Sequence, residues 1–180
     1  MEIIRADNSG FCFGVKKALE TTQDQIKESK ASNSKGSLFT CGPLIHNKIV
    51  TSQLENDGVR IIKTPDEAKE GDTIIVRSHG EPKAFYDRMD KLNLNYVDTT
   101  CPFVSKIHTI VNGACKEGKK IIIIGDANHQ EVIATNGWCD NSAYIINSPD
   151  EVEKVESGEY LVVCQTTIRK ELFGNLYWSI

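Results

Sequence analysis

KKIIIIGD, residues 119–126, sets four consecutive isoleucines between a lysine pair and a Gly-Asp break. Successive side chains of a strand point to opposite faces, so an unbroken apolar run of this kind is a strand buried on both faces. The run is too short for a buried helix and stops at turn-forming residues. Strands buried on both faces belong to the interior of parallel sheets that helices cover on either side. The stretch therefore predicts an α/β fold, with this segment central in its sheet.

The same alternation extends outward. EIIRA (2–6), SLFTC (37–41), VRIIK (59–63), DTIIVRS (72–78) and NYVDTT (95–100) read as strands before it, and AYIIN (143–147) and EYLVVCQ (159–165) as strands after it. Amphipathic stretches at 15–30, 46–58, 81–92 and 102–117 read as helices. TPDEAKEG (64–71) reads as a short helical turn and SPDEVEKV (148–155) as a capped helix. This order predicts small parallel-sheet βα domains. A division near Thr100 separates two halves with similar strand content, so domains are expected at 1–100 and 101–180. No low-complexity segment, close repeat or linker interrupts the chain.

The 180 residues are 39% hydrophobic and 26% charged, an ordinary globular mixture. A net charge of −4 gives no global attraction to nucleic acid, while leaving room for a local basic pocket that holds a small anion. No apolar run approaches the roughly 18 residues that span a membrane. The start, MEIIRADNSG, lacks the basic end and apolar core of a signal peptide, so a cytoplasmic protein is expected. The six cysteines, Cys12, Cys41, Cys101, Cys115, Cys139 and Cys164, contain no C-x-x-C pair. In a reducing compartment they stay thiols, and a metal site would have to gather ligands from distant segments.

The reactive residues fall at one kind of position. Cys12 follows the first expected strand, His46 the second, His79 the fourth, Cys101 the fifth, His129 and Glu131 the sixth, and Thr166 and Thr167 the last. Each stands where a parallel strand gives way to a helix, the edge at which open α/β sheets bind ligands. Taken singly, Glu131 reads as a solvated carboxylate at a helix start, the two threonines as N-caps, and His108 as an ordinary mid-helix residue. In TTCP the proline suits the first helical position, which makes Cys101 the N-cap, where the helix dipole favours a thiolate. Cys12 stands on a glycine-flanked turn before a helix carrying Lys16 and Lys17. Two such thiolates suit iron–sulfur ligation, and the histidines with helix N-terminal amides suit an anion such as a diphosphate. A phosphorylated-metabolite binding module without catalysis, a thiol enzyme using Cys101 with His129 as base, and a Cys/His zinc site remain alternatives.

GFCFGVKKAL, GPLIHN, SHG, DTTCPFVSKIH, NHQEV and QTT, in this order, resemble the LytB/IspH family, the 4-hydroxy-3-methylbut-2-enyl diphosphate reductases of isoprenoid precursor synthesis. The resemblance implies a trefoil of three small α/β domains, each giving one cysteine to a 4Fe-4S cluster. It implies reductive removal of the substrate's hydroxyl to give isopentenyl and dimethylallyl diphosphate, with electrons from a small protein such as ferredoxin or flavodoxin. By the same likeness Cys12 and Cys101 are cluster ligands. His46, His79 and His129 hold the diphosphate, Glu131 belongs to a proton relay, and Thr166 lies near the hydroxyl end of the substrate. The chain departs from the family pattern at its end: the third domain is expected to be absent, with its cysteine and its serine/asparagine group. The polypeptide alone is therefore expected to be inactive. Cys164 matches no ligand of the family, and LFGNLYWSI reads as an apolar tail with nothing to pack against.

Overall fold

The computed structural model describes residues 3, 4, 7, 9–32 and 36–177. Its elements run α1 (Phe13–Ala31), β1 (Leu38–Cys41), α2 (Lys48–Asn56), β2 (Val59–Ile62), β3 (Thr73–Val76), α3 (Lys83–Lys91), β4 (Asn95–Asp98), α4 (Pro102–Lys116), β5 (Lys120–Ile124), α5 (Gln130–Asn136), β6 (Tyr144–Ile146), β7 (Tyr160–Cys164) and α6 (Lys170–Tyr177). Short 3-10 turns at Pro65–Glu67 and Pro149–Lys154 each carry a capping box, from Thr64 with Glu67 and from Ser148 with Glu151.

The strands form two parallel sheets. One is four-stranded, in the order β2-β1-β3-β4; the other is three-stranded, in the order β6-β5-β7. The isoleucine run is the middle strand of the second sheet, with Ile122 opposite Tyr144 on one side and Val162 on the other. Its side chains divide by parity. Ile121 and Ile123 pack with Val111, Ala114 and Val132 from α4 and α5, while Ile122 and Ile124 pack with Ile146 and Leu176. Burial of each isoleucine contributes about 1.5–3 kcal/mol, which makes this strand the best anchored of its sheet. In the first sheet the same parity holds. Leu38 and Ile75 face α1 and α2 through Ile26 and Leu54, and Phe39, Ile74 and Val76 face α3 through Met89.

Two expectations fail here. Residues 2, 5 and 6 of the supposed first strand lie outside the described residues, and Ile3 and Ile4 are exposed and belong to no strand. Strand preference expresses packing against neighbours, and neither isoleucine has a sheet to join. Among the described residues, no strand precedes Cys12. At the other end the apolar tail has a place as far as residue 177; residues 178–180 lie outside the described residues. Residues 170–177 form α6, and Leu176 is fully buried against Ile122, Ile124 and Ile146, with Phe173 and Ile168 alongside. The second face of the isoleucine strand needed a cover, and this helix supplies part of it.

Candidate functional site

Apart from Cys12, the reactive side chains stand just beyond the C-terminal ends of the strands of both sheets. After β1 the chain turns through Gly42 (φ +81°), buries Leu44 and Ile45, and presents His46 at the surface. After β3 a tight turn, closed by the Gly80 amide donating to the Arg77 carbonyl at 3.0 Å, presents His79. Ser78 within that turn holds its neighbours. Its hydroxyl donates to the Leu44 carbonyl at 3.3 Å, and its own carbonyl accepts from the Cys101 amide at 3.0 Å. After β5 the His129 amide donates to Asp126, and His129 becomes the N-cap of α5. Its Nδ1 accepts from the Glu131 amide at 3.2 Å, which in the neutral ring leaves the proton on Nε2, pointing away from the helix.

Three loops from two sheets thereby bring three imidazoles together. Ring centroids lie 4.5 Å apart for His46 and His79, 5.9 Å for His46 and His129, and 5.8 Å for His79 and His129. Burial pushes the His79 imidazole down to about 4, and the adjoining His46, Arg77 and His129 push the same way. Its Nδ1 is buried without a hydrogen-bond partner. Rings this close do not all carry charge unaided, and an anion set among them reverses the balance.

Glu131 is not the solvated carboxylate that its position alone suggested. It is 3% exposed, with one oxygen accepting from the Thr166 amide at 2.6 Å and the other from the Thr166 hydroxyl at 2.8 Å. Thr166 is accordingly no N-cap: α6 starts further on, at Lys170. Thr167 instead accepts from the Gln165 amide group at 2.7 Å. A threonine and a glutamate 35 residues apart form one hydrogen-bonded unit beside His129.

Cys12 and Cys101 are the N-caps of α1 and α4, and neither side chain makes a capping hydrogen bond. Pro102 takes the first position of α4, as its fixed φ favours. Cys12 is exposed and Cys101 half-buried. Gly14, the second residue of α1, lies so close to Cys101 that a Cβ there would stand 2.6 Å from Cys101 Sγ. That contact sets the two cysteine-bearing helix starts side by side. All six cysteines are free thiols. Cys164, at the end of β7, has its thiol raised by burial and then by Glu131, which does not suit a ligand thiolate. Among the described residues no group of three His, Cys, Asp or Glu gathers to hold a metal ion. The donor groups at the two helix starts are a pair of thiols.

Sequence reasoning passed over the groups that tie this edge together. Arg77 and Glu81, flanking His79, form a buried ion pair at 2.5 Å with side chains 12% and 7% exposed. Burial raises the Glu81 carboxyl, and the guanidinium opposes that rise without cancelling it. Trp138 donates from Nε1 to the Glu81 carbonyl at 3.0 Å and stacks on His108, with centroids 5.5 Å apart. The charges at i and i+4 in RSHGE were a signal, but nothing local says that such a pair is buried. No helix of the described residues is long and apolar enough to cross a membrane.

The family model described as LytB protein matches residues 3–179. A 4-hydroxy-3-methylbut-2-enyl diphosphate reductase of Alkaliphilus oremlandii is 45% identical over 177 residues, which is 98% of this chain and 62% of the relative. One of Clostridioides difficile is 43% identical over 179 residues, with the same coverages. Among solved structures, the reductase from Plasmodium falciparum superposes with a TM-score of 0.88 at 29% identity, covering 96% of this chain and 54% of that one. A second reductase structure, described as the terminal enzyme of the non-mevalonate pathway, has a TM-score of 0.81 at 35% identity and is covered to 61%. The chain thus spans 62% of the length of these two curated relatives.

Proposed function

The chain belongs to the LytB family, and on that premise we propose that it carries the diphosphate-binding face and two cluster cysteines of a 4-hydroxy-3-methylbut-2-enyl diphosphate reductase. The observation that supports this most is the gathering of His46, His79 and His129 within 4.5–5.9 Å from three separate loops. An anion among them accepts hydrogen bonds from ring N–H groups, including the outward Nε2–H of His129, and its charge favours protonation of His79. Beside it, the Thr166 hydroxyl, 2.8 Å from Glu131, can hold or pass a proton at Oγ1 toward the end of the substrate that loses its hydroxyl.

Cys12 and Cys101 would hold an iron–sulfur cluster as two of its thiolate ligands, a reading supported by the adjoining helix N-termini and the uncapped thiols. Such a cluster, when bound, supplies the electrons of a reductive dehydroxylation, delivered by a small redox protein of the ferredoxin or flavodoxin kind. The division near Thr100 is part of the same reading: the four-stranded sheet lies before it and the three-stranded sheet after it, as two of the units of a trefoil. Free thiols throughout accord with a reducing cytoplasm.

Calorimetric titration with inorganic pyrophosphate tests the anion site. Binding is expected to tighten as pH falls toward the depressed His79 value of about 4 and to be lost in His79→Ala; binding that ignores both would refute the reading. Anaerobic reconstitution, with iron and sulfide counted per chain, tests the thiol pair. Cys12→Ser and Cys101→Ser should each lower the count, and unchanged iron in both would remove the cysteines from the site.

A further inference from the structure

His46, His79 and His129 come from three loops of two sheets, and strand pairing alone does not set how those loops stand to one another. One side chain touches all three. The Arg77 guanidinium donates from Nε to Glu81 at 2.6 Å, just beyond His79, and from Nη2 to Gln130 Oε1 at 3.2 Å, next to His129. Its Nη1 lies against the backbone of Gly42, on the loop leading to His46, where a Cβ would stand 3.1 Å away. We propose that Arg77 is a positioning residue whose fork sets the mutual placement of His46, His79 and His129.

Chemistry favours arginine for this task. The guanidinium is planar, permanently charged and carries five N–H donors in fixed directions, so three contacts made by one group fix angles as well as distances. Lysine would offer the charge without the geometry. The ion pair with Glu81 is buried, and such pairs add little net stability once desolvation is counted. What this one supplies is direction: Glu81 holds Nε and Nη2, and Nη2 also reaches across to Gln130. Gly42 belongs to the same arrangement, since any side chain there would crowd the guanidinium and would also have to adopt a positive φ. The inference rests on the reading of the three imidazoles as an anion site, but its first readout does not.

The test uses the 180-residue chain, with ring signals of its histidines followed by NMR in the absence of ligand and pyrophosphate affinity measured by calorimetry. Arg77→Lys is expected to displace the ring signals of His46, His79 and His129 together. It should also weaken pyrophosphate binding about tenfold or more, the factor carried by one charge-assisted hydrogen bond. Displacement of His79 alone, or affinity restored to the parent value by the lysine charge, would overturn the proposal. If Arg77→Lys does not fold, Gln130→Ala decides. It cuts just the reach to the α5 start, and it should move the His129 signals with His46 unmoved; an unchanged spectrum would refute the coupling. If the parent chain does not bind pyrophosphate while the three rings still move together in Arg77→Lys, the anion reading falls and the positioning role stands.

Discussion

Replacing His108 by phenylalanine should flatten the acid limb of the stability curve. His108 is 4% exposed, its Nε2 has no hydrogen-bond partner, and its ring stacks on Trp138 at an interplanar angle of 22°. Burial pulls this imidazole down to about 4, against a weaker opposing pull from Asp98. The unfolded chain therefore binds the proton near the ordinary value of 6.5, while the folded chain refuses it until about 4. Stability present above the unfolded value is lost as pH falls toward the folded one. A gap of this size amounts to about 3 kcal/mol in the acid limit, of which about 2–3 kcal/mol is already lost at about pH 4.5. Urea unfolding followed by tryptophan fluorescence, at about pH 7 and about pH 4.5, measures the loss in parent and variant. His79 titrates in the same direction and stays in both proteins, so the difference isolates His108. At neutral pH the variant should be near the parent or slightly more stable, because an unpartnered polar atom is replaced by an apolar one. Equal losses between the two pH values in parent and variant would refute the reasoning.

Two further substitutions, with a third as control, probe the contacts that assemble the site. Gly14→Ala places a carbon 2.6 Å from Cys101 Sγ; overpacking costs about 1–3 kcal/mol, and the helix gain of about 0.5–1 kcal/mol offsets part of it. The variant should unfold at lower urea and alkylate faster at Cys101, whereas greater stability with unchanged thiol reactivity would show that the close approach is not needed. Thr166→Val keeps the branched shape and removes the donor to Glu131, so it should cost about 1.5–3 kcal/mol in urea unfolding at neutral pH. Thr167→Val, whose partner Gln165 is a neutral amide near the surface, should stay within about 0.5 kcal/mol of the parent. Equal effects at the two threonines would contradict the bond between the Thr166 hydroxyl and the buried Glu131 carboxylate.

Much of the fold was legible because its signals are local. The unbroken apolar run Ile121–Ile124, the proline after Cys101 and the two capping boxes act over a few residues, and each of these elements formed close to where its residues place it. The failures were non-local. Ile3 and Ile4 have strand chemistry and no sheet, while residues 170–177 have no stop signal and yet find the open face of β5. Glu131 looked solvated because it opens a helix; Thr166, which hydrogen-bonds to it, follows β7, 35 residues away in sequence and paired with the β5 strand that leads to Glu131.

By itself, then, the order of residues determined most of the strands and helices, and that Cys101, the three imidazoles and the Thr166 hydroxyl stand just after strands, because periodicity, capping and proline act within a few positions of the chain. Only the tertiary structure decided that those ends converge. The placement of β1 beside β3 and of β5 between β6 and β7, the seat of Gly14 on Cys101, and the reach of Arg77 from one sheet to the other are contacts between distant segments. Packing area and charge geometry select them, and no short stretch of sequence contains either.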